Sequence, residues 1–317
     1  MKNLFLGVDT SNYTTSLSLV SEGKVISSVR RLLPVKEGEK GLRQSDAVFL
    51  HTKALPELSC ELFSSVSMEE YKLSAVGVSS KPRDAEGSYM PCFLAGYSYA
   101  SAVAHSHNIP MHAFSHQSGH IAAAIYSSGK EFSFFDGLPF IAFHVSGGTT
   151  EALYTAFNGE TYLCKIIGGT NDASCGQIID RAGVEMGLSF PCGKELDVLS
   201  ENSAKQLPVT VSAKEGYFSM SGLQNKVQKF LADGEKHEDI AMFLFNSIAS
   251  ALGKSSEHLR KVYGNLPIIY AGGVMSNSVI RGELSKLENV HFASPELSSD
   301  NACGTAILAY RKHMKGR

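Results

Sequence analysis

Leu4-Phe5-Leu6-Gly7-Val8-Asp9-Thr10-Ser11 opens the chain as a short run that stops on an acid and two hydroxyls. A run of this length without a polar break reads as a buried strand, and the polar stop as a turn at its end. Thr15–Val20 then alternates Ser with Leu or Val, Glu22-Gly23 marks a turn, and Lys24–Arg30 continues extended. The stretch predicts three antiparallel strands joined by two hairpins. The same pattern returns later. Phe140–Val145 is an apolar run that enters Ser146-Gly147-Gly148, Thr149–Phe157 follows as a strand, Asn158-Gly159 turns the chain, and Thr161–Ile167 is the third strand. The Thr-Thr pairs beginning at Thr14 and Thr149 lie 149 − 14 = 135 residues apart. One supersecondary unit occurs twice.

Outward from each three-strand unit, helices alternate with strands. The first half places a helix over Ser45–Phe63 with Ser45 or Asp46 as its N-cap and a kink at Pro56. Strands at Ala75–Ser79 and Pro110–Phe114 flank a helix at Phe93–His107. The second half gives helices at Asp172–Gly187, Asn277–Leu287 and Ala302–Lys312, with strands at Leu266–Ala271 and Val290–Ala293. Strand-rich units followed by crossover helices predict two α/β lobes with mixed sheets. That is the duplicated two-lobe architecture of actin, the sugar kinases and the heat-shock ATPases, with a nucleotide cleft between the lobes. The expected division is a lobe over 1–114, joined by the closing helix 301–317, and a second lobe over 115–300 that carries the nucleotide and metal sites.

Bulk properties narrow the function classes. A chain of 317 residues exceeds what one core usually serves. The net charge of −2 argues against broad electrostatic wrapping of nucleic acid, though a local basic patch or a partner can supply it. Six scattered cysteines without a C-x-x-C pair suit a reduced, cytoplasmic protein better than a disulfide or cysteine–zinc scaffold. No stretch has the length and apolarity of a transmembrane helix, and the start lacks a signal-peptide pattern.

Several turns have the composition of phosphate cradles. Asp9-Thr10-Ser11, Ser146-Gly147-Gly148-Thr149-Thr150 and Gly272-Gly273-Val274 each follow a strand, and Gly168-Gly169-Thr170 precedes a helix. Glycine lets the backbone approach an anion closely with its N–H groups exposed. Asp172 and Asp180, eight residues apart, should lie about 40–80° apart around one helix and together face a ribose. A second constellation is Ser115-His116-Gln117-Ser118-Gly119-His120. Imidazoles four residues apart on a helix have Cβ atoms about 5–6 Å apart and reach one ion. A third ligand must come from elsewhere; Asp300, before the last helix, is the best carboxylate, and it reads equally as a helix N-cap. Two His and a carboxylate suit iron or zinc. The segment differs from the H-E-x-x-H of zinc peptidases because Gln117 cannot serve as general base. His105, His107 and His112 lack the spacing and are expected on the surface.

Read in order, these residues resemble the TsaD family, the transferases that form threonylcarbamoyladenosine on tRNA and once carried a glycoprotein-endopeptidase label. Gly7–Ser11 matches G-I-E-T-S, Ser115–His120 the H-x-x-x-H segment, Val145–Thr150 V-S-G-G-H-T, and Asp172, Gly176 and Asp180 the D-x-x-x-G-x-x-x-D pattern. Phe190–Gly193 resembles Y-P-G-G, Phe218–Leu223 F-S-F-S-G-L, Ala271–Asn277 A-G-G-V-S-A-N, and Asp300-Asn301 the T-D-N segment. The resemblance implies one divalent metal (Fe or Zn) on His116, His120 and Asp300. It also implies an adenine nucleotide or acyl-adenylate held by Thr10, Ser11, Ser146, Gly147, Gly148, Thr149, Asp172, Gly176, Asp180, Gly272, Gly273 and Asn277. The implied reaction moves a threonylcarbamoyl group from an adenylate donor to adenosine in tRNA. A TsaB-like paralogue and a small ATPase are the implied protein partners.

The chain departs from the pattern in three places. Tyr13-Thr14 stand where the family has an acidic pair, Thr149 replaces the histidine of S-G-G-H-T, and residues 80–89 replace a short Gly-Pro-Gly loop. They mark a divergent member. The alternatives are a carbamoyltransferase with a non-tRNA acceptor, or a non-catalytic nucleotide-binding scaffold of the modification complex.

Overall fold

A computed structural model describes residues 1–11, 13–34, 42–298 and 301–315. The chain divides into two compact units, one of residues 1–137, 156–164 and 299–317, the other of 138–155 and 165–298.

The first unit is built on β1 (Lys2–Asp9), β2 (Thr14–Ser21), β3 (Lys24–Leu32), β4 (Tyr71–Lys81) and β5 (Met111–Ser115), in the order β3-β2-β1-β4-β5. β1 pairs antiparallel with β2 and parallel with β4, and β4 is parallel to β5. α1 (Gln44–Ser64) and α2 (Phe93–Ser106) pack on one face through Leu55, Leu58, Leu62 and Ala100. α3 (His116–Ser127) follows β5 directly, and α4 (Phe132–Asp136) ends the continuous part of the unit. α1 starts one residue before the expected cap: its N-cap is Arg43, which makes no side-chain capping bond.

The second unit repeats the plan. β6 (Phe140–Val145), β7 (Thr150–Phe157) and β8 (Tyr162–Thr170) precede α5 (Cys175–Glu185), α6 (Gly193–Ser200), the short strands β9 (Ala213–Lys214) and β10 (Tyr217–Phe218), α7 (Ser221–Ala232) and α8 (His237–Tyr263). β11 (Ile268–Ala271), α9 (Ser278–Leu284) and β12 (Val290–Phe292) complete it, and the chain ends in α10 (Cys303–Lys315). The sheet order is β12-β11-β6-β7-β8-β10-β9. Its β8-β7-β6-β11-β12 core has the same order as the first sheet, with β6 antiparallel to β7 and parallel to β11. The duplication inferred from the Thr-Thr echo is therefore present as repeated topology. α8 fills the core of this unit with Phe243, Leu244, Phe245 and Ile248.

The boundary expected at 114/115 falls instead at 137/138, so α3 belongs to the first unit. The reason is α10. A Cβ on Gly7 would lie 2.3 Å from the Ala302 carbonyl, and one on Gly77 2.4 Å from that of Thr305, so this helix sits directly on the backbone of β1 and β4. At Gly304 a Cβ would be 1.8 Å from the Gly119 carbonyl, which brings α10 equally close to α3. Backbone contact of this kind needs glycine on the close-approach side. It also explains β2, where the Ser positions are as buried as the Leu positions: Ser18 Oγ meets Cys303 Sγ of α10 at 3.2 Å.

Two further expectations are corrected. Gly168-Gly169-Thr170 is not a turn before a helix but the end of β8, where a Cβ on Gly168 would strike Gly216 O at 2.5 Å and one on Gly169 Thr150 O at 2.3 Å. His112, expected on the surface, is half-buried on β5, and its desolvation pushes the imidazole below its usual pKa.

Candidate functional site

In the first unit, chemistry gathers where β1 ends. Asp9 is 1% exposed. Its Oδ1 accepts the Ser11 backbone N–H at 2.9 Å; its Oδ2 accepts Ser79 Oγ from β4 at 2.5 Å and lies 2.8 Å from His116 Nδ1 on α3. Burial by itself would raise this carboxyl; the adjacent His116 and the three hydrogen bonds outweigh it and hold Asp9 below the usual carboxylate range. α3 starts here because Ser115 caps it, its Oγ accepting the Ser118 N–H at 3.1 Å. The helical spacing then brings His116 Nε2 and His120 Nε2 to 2.8 Å, with ring centroids 4.2 Å apart.

The start of the divergent 80–89 loop is tied to the same helix. Asp84 accepts Ser115 Oγ at 2.7 Å and Ser118 Oγ at 3.1 Å, and pairs with Lys81 at 3.0 Å. The Gln117 N–H donates to Pro82 O. Lys81 is thus neutralised within its own loop. Thr10 serves the fold: its Oγ1 donates to Cys92 O at 3.0 Å and accepts from Gly96 N at 3.1 Å, holding α2 to the turn. Ser11 Oγ is buried and has no hydrogen-bond partner among the described residues. Among the described residues no group of three or more His, Cys, Asp or Glu side chains is arranged to hold an ion. Asp300, the expected third ligand, lies outside the described residues.

In the second unit the equivalent turn is almost bare of side chains. Ser146 closes it, its N–H donating to Thr149 O at 2.7 Å and its Oγ accepting the Thr149 N–H at 3.1 Å. Ser174 caps α5 in a capping box with Gln177 and donates from Oγ to Gly147 O at 2.6 Å. Gly176 then lies on the turn so closely that a Cβ would be 2.5 Å from Gly147 Cα. The result is a cavity of about 450 Å³ into which Gly147, Gly176, Asp180, Gly273 and Asn277 all face. A volume in this range accommodates a small-molecule ligand. Gly272 has φ +103° and abuts the Val145 carbonyl, which leaves Gly273 open toward the cavity.

Ser146, Gly148, Thr149, Asp172 and Gly272 do not line this cavity. Asp172 is the substantive correction. It does not share a helix with Asp180, because the capping box starts α5 at Cys175. Its carboxylate instead accepts Met220 N at 2.8 Å, Ser221 N at 3.0 Å and Ser219 Oγ at 2.5 Å, clamping the strand-to-helix turn before α7. Desolvation opposes ionisation, but these donors hold Asp172 well below the usual range. Asp180 keeps its place, accepting Cys192 N at 2.9 Å.

Four lining residues went unread in the sequence: Ile179, Lys194, Asp197 and Phe245. Asp197 accepts Asn277 Nδ2 at 2.7 Å and Ser278 Oγ at 2.9 Å, joining α6 to the start of α9. Phe245, in the middle of a long apolar helix, offered no signal.

These features can be set beside known proteins. A model of the TsaD family, described as tRNA N6-adenosine threonylcarbamoyltransferase, matches residues 36–307. A Thermus thermophilus protein of that name is 30% identical over 98% of this chain and 93% of its own length. That from Carboxydothermus hydrogenoformans is also 30% identical, over 100% and 94%, and that from Bacillus subtilis 28%, over 98% and 92%. Among solved structures, component A of the Acidaminococcus fermentans (R)-2-hydroxyglutaryl-CoA dehydratase aligns at a TM-score of 0.56 with 16% identity, over 98% of this chain and 99% of that one. HypF of T. kodakarensis aligns at 0.59 with 11% identity, over 99% and 48%. The structural likenesses concern fold, and they bear out the actin-like and sugar-kinase-like class. With the match running through nearly the whole length, the chain belongs to the TsaD family of tRNA N6-adenosine threonylcarbamoyltransferases.

Proposed function

We propose that this chain is a TsaD-type transferase that moves a threonylcarbamoyl group from an adenylate donor to the N6 amine of adenosine in tRNA. The observation that carries the reading is the cavity on which Gly147, Gly176, Asp180, Gly273 and Asn277 converge, five of the positions the family resemblance assigns to the adenylate. Glycine backbone at Gly147, Gly176 and Gly273 admits the ligand closely, and Asp180 supplies an acceptor suited to a ribose hydroxyl.

A metal belongs to the same reading. What supports it is that two imidazole Nε2 atoms meet at 2.8 Å, with a buried carboxylate on the Nδ1 side of one ring. His116 and His120 would hold an iron or zinc ion, with Asp300 as third ligand. A divalent cation held by these imidazoles would supply Lewis-acid chemistry, polarising a carbonyl and offsetting the charge that develops on its oxygen. The acceptor amine attacks the carbamoyl carbon, the carbon–oxygen bond to phosphate breaks, AMP leaves and the amine proton passes to solvent. Gln117, an amide, takes no part as a base. The reading also includes cytoplasmic location and work alongside a TsaB-like paralogue and a small ATPase. Among the described residues no helix is long and apolar enough to cross a membrane.

The test is incubation of the protein with synthetic threonylcarbamoyl-adenylate and unmodified tRNA, with and without those partners, followed by nucleoside analysis. Threonylcarbamoyladenosine is the expected product. AMP release without it would overturn the tRNA acceptor and leave the donor site standing; absence of both would leave a nucleotide-binding scaffold.

A further inference from the structure

We infer that Asp9 is a positioning residue for the proposed cation site: it fixes the ring of His116 so that Nε2 is presented as a lone-pair donor. The inference rests on the metal reading above and concerns a residue that reading leaves without a role. Asp9 accepts from three separate elements, the Ser11 N–H in its own turn, Ser79 Oγ on β4 and His116 Nδ1 on α3. Ser79 Oγ lies in turn 3.2 Å from Thr305 Oγ1 of α10. The carboxylate is therefore held by its own turn, β4 and α3, with α10 behind Ser79, and Asp9, Ser79 and Thr305 are at most 1% exposed.

Both oxygens of Asp9 already act as acceptors, Oδ1 from the Ser11 N–H and Oδ2 from Ser79 Oγ, so the 2.8 Å contact to Oδ2 is matched by a ring proton on His116 Nδ1. In the neutral ring the other nitrogen then carries a lone pair, and it is this nitrogen that faces His120 Nε2. Turning the ring would exchange that lone pair for a buried, mismatched contact at Asp9. A carboxylate behind a ligating imidazole fixes its tautomer and raises its donor strength, an effect worth about 10–100-fold in metal affinity. A purely structural ion pair would also hold α3 to β1, but it would not shape the electronic environment of a bound ion.

Cobalt(II) alone serves as the probe, because its visible spectrum reports ligand field and its affinity is measured by chelator competition. Wild type, Asp9→Asn, Ser79→Ala and His116→Ala are compared as full-length proteins, with unfolding of the metal-free forms measured in parallel. Asp9→Asn is expected to weaken cobalt binding about 10–100-fold and shift the visible bands; Ser79→Ala is expected to weaken it about threefold to tenfold by loosening the carboxylate. Unchanged affinity and spectrum in Asp9→Asn overturn the inference while leaving the metal reading intact, as does a weakened affinity with unshifted bands. If Asp9→Asn does not fold, Ser79→Ala decides: wild-type affinity in that variant overturns the inference. Cobalt binding that is absent from wild type, or undiminished in His116→Ala, sinks the metal reading itself.

Discussion

Asp9-Thr10-Ser11 and Ser146-Gly147-Gly148 leave equivalent strands in two sheets of the same topology, yet they are built in opposite ways. The first turn works through side chains. Asp9 and Thr10 are each buried and each bound to other elements, α3 and β4 in one case and α2 in the other. The second works through backbone: Gly147 and Gly148 have no neighbour within 4 Å of a notional Cβ, and Gly176 packs against the turn as bare main chain. A duplicated unit has thus kept its strands and changed the chemistry at their ends. Strand order is set by burial of whole faces, which a few turn residues do not disturb, so turns are free to diverge.

Adding a methyl group where the second turn depends on its absence should do most damage. Gly176→Ala places a Cβ 2.5 Å from Gly147 Cα and 2.7 Å from Ser146 O, backbone that cannot move aside. It should cost about 3 kcal/mol in urea unfolding and abolish AMP binding by calorimetry; wild-type behaviour would break the comparison. Next comes Thr10→Val, which keeps the shape of the first turn but takes the Thr10 acceptor from the Gly96 N–H and one donor from the Cys92 carbonyl, which keeps the Ala95 N–H. A loss of about 1–3 kcal/mol is expected, with AMP affinity unchanged.

Gly147→Ala and Gly148→Ala sharpen the contrast. Neither notional Cβ has a contact within 4 Å, so stability should stay within about 0.5 kcal/mol. Only Gly147 lines the cavity, so AMP should weaken several-fold in that variant alone. The smallest effect concerns Asp172. Its folded carboxyl titrates below the unfolded value, so its contribution is complete above about pH 4 and is lost as pH falls through the folded pKa. Asp172→Asn should lower stability modestly at neutral pH and flatten the unfolding profile between about pH 2 and 5 relative to wild type.

Much of this was legible from local pattern. The strand triplets, the 135-residue echo and the helix opened by Ser115 follow from apolar runs, turn residues and capping, all of which act over a few positions. The site was legible where a motif sits on one element, as with His116 and His120, or where glycines end a strand, as at Gly147 and Gly273. It was misread at Asp172, because eight-residue spacing implies a shared helix only if the helix covers both ends, and the Ser174–Gln177 box begins it later. Asp197 and Lys194 escaped notice since neither residue type marks a cavity without knowledge of what folds beside it.

By itself the sequence determined the strand and helix units, their duplication and the family, because hydrophobic period and turn chemistry are properties of neighbouring residues. Only the tertiary structure decided that α10 lies on Gly7, Gly77 and Gly119, that α3 consequently belongs with the first sheet, and that Asp9 meets His116 across 107 positions of chain. Those outcomes depend on contacts between backbones and buried polar groups far apart in sequence. No local period encodes them, and they are fixed only when whole faces pack.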